Sequence, residues 1–224
     1  MPRALIVGNT DGIGLALTRR LLGDGWSVAG VSRRPADLDH PEYEHRVADV
    51  AAPDYPAALD GADPLDLCVY AAGIGELLDL DGGLGSQTDA IRVNLLGAAL
   101  TVEAVLPGML ARGRGHIIGL SSLADVLISK EAPGYAASKA GLSSYLLGLG
   151  QAVRPRGVAV TAVRFGFVDT KMAKGPSTPL KIGVDDAVGV LMRAVARRPA
   201  VVSYPRRMSV GARTLRALSR LSLR

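Results

Sequence analysis

A chain of 224 residues, 48% of them hydrophobic, has the length and apolar content of one α/β domain with a substantial core. The net charge of +5 would suit a nucleic-acid surface, but six arginines and no acid fall within residues 206–224, leaving 20 basic against 21 acidic residues elsewhere. No aromatic stacking platform accompanies those arginines, which argues against nucleic acid as a partner. A single cysteine, Cys68, excludes a disulfide framework and reads as a small buried residue, and His40, His45 and His116 lack the spacing of metal ligands. With no secretory signal pattern before the first strand and no apolar run of the roughly 18 residues that span a bilayer, a cytoplasmic location is expected.

The strand predicted at 3–7 runs into Gly8-Asn9-Thr10-Asp11-Gly12-Ile13-Gly14 and then a helical pattern over 12–23. The glycines permit a tight turn and close backbone approach, and the N–H groups at the helix start suit a phosphate, so the loop is built for a dinucleotide. Its spacing is Gly-x-x-x-Gly-x-Gly rather than the Gly-x-Gly-x-x-Gly of other Rossmann dehydrogenases. A second strand at 27–31 leads into Ser32-Arg33-Arg34, where such a site reads the adenosine ribose. An acid there would hold the 2′-hydroxyl of NAD, whereas arginine pairs with the 2′-phosphate of NADP. Arg33 therefore favours NADP(H), with NAD as the alternative. Asp11, a carboxylate in the glycine loop, opposes that phosphate unless it points elsewhere.

Strands follow near 44–48 and 66–70, with a short helix near 54–60 and a long one over 86–110. The strand at 114–121 ends at Ser122, and a helix over 133–153 carries Tyr135 and Lys139 on one face. An ammonium beside a phenol, whose ordinary pKa is about 10, favours phenolate and makes a proton-transfer group. Ser122 could hold the same substrate oxygen by a hydrogen bond, while Ser121 alternates to the opposite face and is left out. A strand at 157–163, a loop at 175–183 placed to cover substrate, a helix at 185–198 and a strand at 200–203 complete the body. This alternation predicts an α/β fold, a doubly wound parallel sheet of Rossmann type, in a single domain over 1–205. Residues 206–224 form a basic amphipathic tail suited to packing on its own domain or a partner subunit, or to an anionic membrane surface.

The glycine loop, Ser122, Tyr135 and Lys139, in that order and spacing, resemble the short-chain dehydrogenase/reductase family over almost the whole chain. The resemblance implies a tetrad of Asn94, Ser122, Tyr135 and Lys139, in which Asn94 holds a water bound to Lys139, and Lys139 lowers the tyrosine pKa while binding the nicotinamide ribose. It also implies that Asp49 receives the adenine amino group and that Val50 touches the ring. Ala71, Ala72 and Gly73 would let backbone approach the cofactor, and Thr170 would bind the carboxamide beside Gly166 and Val168. Val7, Tyr70-Ala71-Ala72-Gly73 and Phe165-Gly166 depart from the family's threonine, Asn-Asn-Ala-Gly and Pro-Gly, removing side-chain hydrogen bonds that support sheet and loop.

The implied activity is hydride transfer between nicotinamide and a small-molecule carbonyl or secondary alcohol. Leu77, Leu123, Phe167 and Met172 near the expected pocket point to a hydrophobic substrate. A homo-oligomer, dimer or tetramer, is implied through the two long helices, with Leu95, Leu96, Leu142, Leu146 and Leu149 as contact positions. The alternative is a catalytically silent dinucleotide-binding regulatory or scaffold protein, since one fold hosts many functions. An extended-type sugar epimerase has little room in 224 residues.

Overall fold

The computed structural model describes residues 1–172 and 181–207. Seven parallel strands, β1 (Arg3–Val7), β2 (Ser27–Ser32), β3 (Tyr43–Val47), β4 (Leu67–Tyr70), β5 (Gly115–Ser122), β6 (Val158–Phe165) and β7 (Val201–Tyr204), form one sheet. Their order is β3-β2-β1-β4-β5-β6-β7. The helices are α1 (Gly12–Gly23), α2 (Gly85–Ile91), α3 (Gly97–Arg112), α4 (Pro133–Val153) and α5 (Val184–Arg197). The central strands β1, β4, β5 and β6 read as largely apolar, buried runs because both faces of the sheet are covered there. Leu5, Val7, Cys68 and Ile117 pack with Val102 of α3 and with Leu142 and Leu146 of α4. Ala4, Ile6, Val69 and Ile118 pack on the other face with Leu17 of α1 and Leu191 of α5. The chain leaves β1 for one face and β4 for the other, so a crevice opens at their carboxyl ends, where ligands of such sheets bind.

The strands lie within two residues of their predicted positions. The short element near 54–60 is a 3-10 turn, Tyr55–Leu59, with Pro56 in its first turn. The long helix predicted at 86–110 is interrupted by a π turn, Arg92–Leu96, between α2 and α3. Tyr70 explains the interruption: its hydroxyl donates to the Val93 carbonyl at 2.5 Å, and Gly97 has no side chain to block the phenol. The tyrosine that replaces an asparagine of the family pattern thus supplies support of its own between β4 and the helix.

Two other expectations change, and two fall outside the described residues in part or in whole. Residues Gly85–Arg112 have the length and mean hydropathy, 1.6, of a bilayer-spanning helix, although no such run was expected; here the buried side of this helix packs on the sheet. Leu142 and Leu146 are buried against the sheet and cannot form a subunit contact, whereas Leu96 is 52% exposed. Of the 175–183 loop only residues 181–183 are described, and the basic tail beyond Arg207 lies outside the described residues.

His116 on β5 is buried, with Nε2 2.8 Å from Thr161 Oγ1. Thr161 gives its hydrogen to the Pro199 carbonyl, so Nε2 carries the imidazole hydrogen and Nδ1 has no partner. Burial, with a smaller push from Arg198, lowers the imidazole from its ordinary value of 6.5 to about 4. The unfolded chain therefore takes up this proton first, and stability falls as the pH drops from 6.5 towards 4, then levels. Urea unfolding at pH 7 and pH 4.5 is expected to show a loss that His116→Phe reduces by about 2 kcal/mol. An equal loss in both chains would mean that His116 does not carry it.

Candidate active site

The glycine loop is shaped by backbone meeting backbone. Gly8 has φ +89°, and a Cβ there would lie 2.5 Å from the Ala72 nitrogen; one at Gly14 would strike the Gly8 carbonyl. Gly8 N–H donates to the Val31 carbonyl at 2.7 Å and Ala71 N–H to that of Val7 at 2.8 Å, which laces the ends of β1, β2 and β4 together. Above them lies a cleft of about 1150 Å³. Every expected cofactor position lines it except Asn9: Gly8, Thr10 to Gly14, Ser32 to Arg34, Asp49, Val50, Ala71 to Gly73, Tyr135, Lys139, Gly166, Val168 and Thr170. Asn9 is instead fully buried beneath the loop, bonded to Ser32 and Tyr43. A backbone cradle that would not admit side chains, at the start of α1, fits a dinucleotide pyrophosphate.

Tyr135 and Lys139 reach the cleft from the first turns of α4. Ser122 closes β5 and accepts from Ala124 N–H at 3.1 Å, which leaves its own hydrogen for the Tyr135 phenol. Burial raises that phenol above its ordinary value of 10, and the Ser122 bond offsets only part of the rise. The expected lowering by Lys139 does not prevail in this arrangement. Its Nζ turns to the Leu120 carbonyl at 2.8 Å, 5.8 Å from the tyrosine ring centroid, and burial pulls the ammonium down to about 8. Asn94 sits in the π turn, fully buried. It donates to the Ile74 carbonyl at 2.9 Å and to Ser138 Oγ at 3.0 Å and accepts from Ile74 N–H at 2.8 Å. Its side chain thereby ties the loop after β4 to α4; π turns recur at functional sites for this kind of local re-aiming.

At the adenosine end, Arg33 and Arg34 are both exposed at the rim. Asp11 caps α1 by accepting from Gly12 N–H at 2.8 Å, and it lies 2.9 Å from Lys171 Nζ and 3.6 Å from Arg34 Nη2. The Lys171 bond holds the Asp11 carboxyl below its ordinary range. Asp49 also caps a turn, accepting from Ala51 N–H at 2.9 Å, while it lines the cleft. Thr170 rests against Gly12, its Cγ2 3.1 Å from where a Cβ would be.

On the substrate side, Leu77, Phe167 and Met172 line the cleft with 71%, 56% and 43% exposure. Leu123 does not: it is buried in the 3-10 turn after β5. Ser121, set aside from the sequence, lies 2.7 Å from Ser143 Oγ and donates to the Lys139 carbonyl at 3.0 Å. Ser143 donates to Asp125 at 2.6 Å, and Asp125, whose side chain is 2% exposed, meets Arg164 Nε at 2.6 Å. Only their polarity within apolar segments marked these residues in the sequence.

The chain matches the family model for short chain dehydrogenases over residues 2–180. It is 32% identical to an uncharacterized oxidoreductase of Myxococcus xanthus, over 96% of this chain and 92% of that protein. It is also 27% identical to a very-long-chain 3-oxoacyl-CoA reductase of Aspergillus fumigatus, over 76% of this chain and 55% of that one. Among solved structures, a short chain dehydrogenase of Burkholderia cenocepacia in complex with NADP superimposes with a TM-score of 0.88 at 23% identity, covering 99% of this chain and 95% of that one. An actinorhodin polyketide ketoreductase with NADPH gives 0.78 at 25% identity, covering 91% and 95%. With the Rossmann cradle and the match spanning most of the chain, the protein belongs to the short-chain dehydrogenase/reductase family and is an NAD(P)-dependent oxidoreductase.

Proposed function

We propose that this chain is an NADP(H)-preferring reductase or dehydrogenase of apolar carbonyl compounds or secondary alcohols, with Tyr135 as its acid and base. The observation that carries the reading is Tyr135 with buried Lys139 one helical turn on, both lining the cleft that the glycine cradle floors, and Ser122 at the end of β5 beside the phenol. When bound, the dinucleotide supplies or removes the hydride. Tyr135 donates the proton to the substrate oxygen in reduction, and as phenolate takes it in oxidation. Ser122 hydrogen-bonds that oxygen as its charge develops. Lys139 holds the nicotinamide ribose, and Asn94 connects it to solvent through water and braces α4. Thr170, Val168 and Gly166 hold the carboxamide end, and Asp49 and Val50 the adenine.

Arg33 at the rim supports NADP(H), because a guanidinium pairs with a phosphate by charge-assisted bonds. The NADPH bound by the actinorhodin ketoreductase is consistent with this. Exposed Leu77, Phe167 and Met172, and Leu80 and Leu84 beside them in sequence, support an apolar substrate. The relative named for very-long-chain 3-oxoacyl-CoA reduction points the same way. Assembly into a homo-oligomer through α3 and α4 belongs to the same reading, with exposed Leu96 rather than Leu142 at the contact.

Fluorescence titration is expected to show tighter binding of NADPH than of NADH, and Arg33→Ala to weaken NADPH about 10- to 100-fold, hydrogen bonds to charged groups contributing roughly 1.5–3 kcal/mol. Equal binding of the two nucleotides would remove the NADP(H) preference. Tyr135→Phe should lower kcat about 100- to 10,000-fold with nucleotide binding retained. Since burial holds the phenol above 10, oxidation should accelerate with rising alkaline pH while reduction declines there. A Tyr135→Phe chain that has lost turnover but keeps its full biological function would favour the catalytically silent regulatory protein. Across a homologous series of ketones, KM should fall by about fourfold per added methylene while the chain stays within the apolar wall, at about 0.8 kcal/mol per CH₂. A flat series would rule out that wall as a substrate contact.

A further inference from the structure

Beneath the Arg33–Arg34 turn runs a hydrogen-bond relay in which the donors can be assigned one by one. Asn9 N–H donates to Ser32 Oγ at 2.9 Å, and Ser32 returns its hydrogen to Asn9 Oδ1 at 2.8 Å, which fixes which end of the amide is oxygen. The Asn9 NH₂ therefore faces edge strand β3, where it donates to the Tyr43 hydroxyl. That hydroxyl lies 2.9 Å from His45 Nδ1, and His45 Nε2 lies 2.9 Å from the Arg34 carbonyl oxygen. A carbonyl only accepts, so Nε2 carries the hydrogen, and in the neutral ring Nδ1 is left to accept from Tyr43. Burial holds the Tyr43 phenol above its ordinary range, so it keeps the hydrogen it donates.

The sheet is shaped to admit this relay. Tyr43 and His45 alternate to one face of β3, and Gly30 pairs with His45 in the β2–β3 register. A Cβ at Gly30 would strike the Asn9 amide nitrogen and lie 2.7 Å from the Tyr43 hydroxyl. The far end of the relay holds the backbone of Arg34, whose guanidinium is drawn towards Asp11 at 3.6 Å. Arg33 forms no ion pair among the described residues and stands exposed at the rim, so its guanidinium is left for an incoming anion.

We propose that His45 is a positioning residue for cofactor selectivity: its Nε2–H, oriented by Tyr43 and Asn9, sets the Arg33–Arg34 turn where the 2′-phosphate of NADP(H) is read. The proposal rests on the NADP(H) reading above. His45 does not contact the dinucleotide; it acts through the turn, so its loss falls on the nucleotide that carries the phosphate.

Dissociation constants for NADPH and NADH, measured by fluorescence on wild type, His45→Phe, His45→Gln and Tyr43→Phe, test it. His45→Phe removes the donor and is expected to weaken NADPH by at least about tenfold while NADH changes by less than about twofold. His45→Gln, whose amide N–H can reach the Arg34 carbonyl, should regain most of the loss. Tyr43→Phe keeps the ring and should give a smaller loss, again confined to NADPH. No change in His45→Phe, or equal weakening of both nucleotides, overturns the proposal and leaves the NADP(H) preference standing. A wild-type chain that binds both nucleotides alike overturns the preference and the selectivity role together, and it does so without reference to any variant.

Discussion

Gly8 seats its backbone on that of Ala72, and the cleft is organised around this contact. The seat exists only because no side chain intervenes at Gly8 or Gly14, so the end of β1 can lie against the end of β4 while its N–H reaches across to β2. Three strand ends thus converge where the sheet order reverses. The start of α1 then points its free N–H groups into the same space that the Arg33–Arg34 turn borders on one side and α4 on the other. A side chain at Gly8 would have to separate β1 from β4, and with them the two halves of the dinucleotide site.

The reactive groups depend on a second set of contacts, on the far side of α4. Leu146 packs onto Gly119 and Leu142 is fully buried, which fixes the depth of the helix on the sheet. The hydrogen bonds from Ser121 to the Lys139 carbonyl and from Ser143 to Asp125 fix its position along its axis, and Arg164 joins Asp125 to β6. Breaking a buried ion pair of this kind costs about 3–5 kcal/mol, because the remaining charge is left uncompensated. The turn that carries Ser122, the helix that carries Tyr135 and Lys139, and the strand that leads to Thr170 therefore hold their places as one unit. Asn94 adds the loop after β4 to that unit through Ile74 and Ser138.

Elements whose physics is local were legible in the sequence. Apolar runs bounded by turn residues placed the strands, and glycine spacing placed the cradle, since both signals lie within a few residues. The π turn was not legible, because it arises from Tyr70 reaching the Val93 carbonyl across 23 positions of chain. Asn9 read as a cofactor contact because it sits between two residues that line the cleft; its burial follows from Ser32 and Tyr43, which tertiary pairing brings to it. Leu123 and Leu142 show the same limit from the apolar side, where composition says only that a residue wants burial and not in which cavity. His45 looked unremarkable because its meaning comes from Gly30 on the neighbouring strand.

Asp11 poses the sharpest electrostatic question at the cleft, an acid in a loop shaped for phosphates. The structure resolves it by geometry. One oxygen accepts from Gly12 N–H at the start of α1, where the helix end favours negative charge, and the other faces Lys171 and Arg34. Both cations are largely exposed, with side-chain exposures of 83% and 67%, so these pairs are weak and solvent-screened. A weak pair suits this place. The carboxylate orders Lys171 against the glycine loop and Arg34 near the rim, yet holds neither so tightly that an approaching phosphate could not compete for it. Charge at the adenosine end is thus arranged around Asp11 while the firmly fixed element beneath it is the backbone of the Arg34 turn. That division, weakly paired charges on a hydrogen-bonded frame, lets an acidic glycine loop coexist with a dinucleotide cleft.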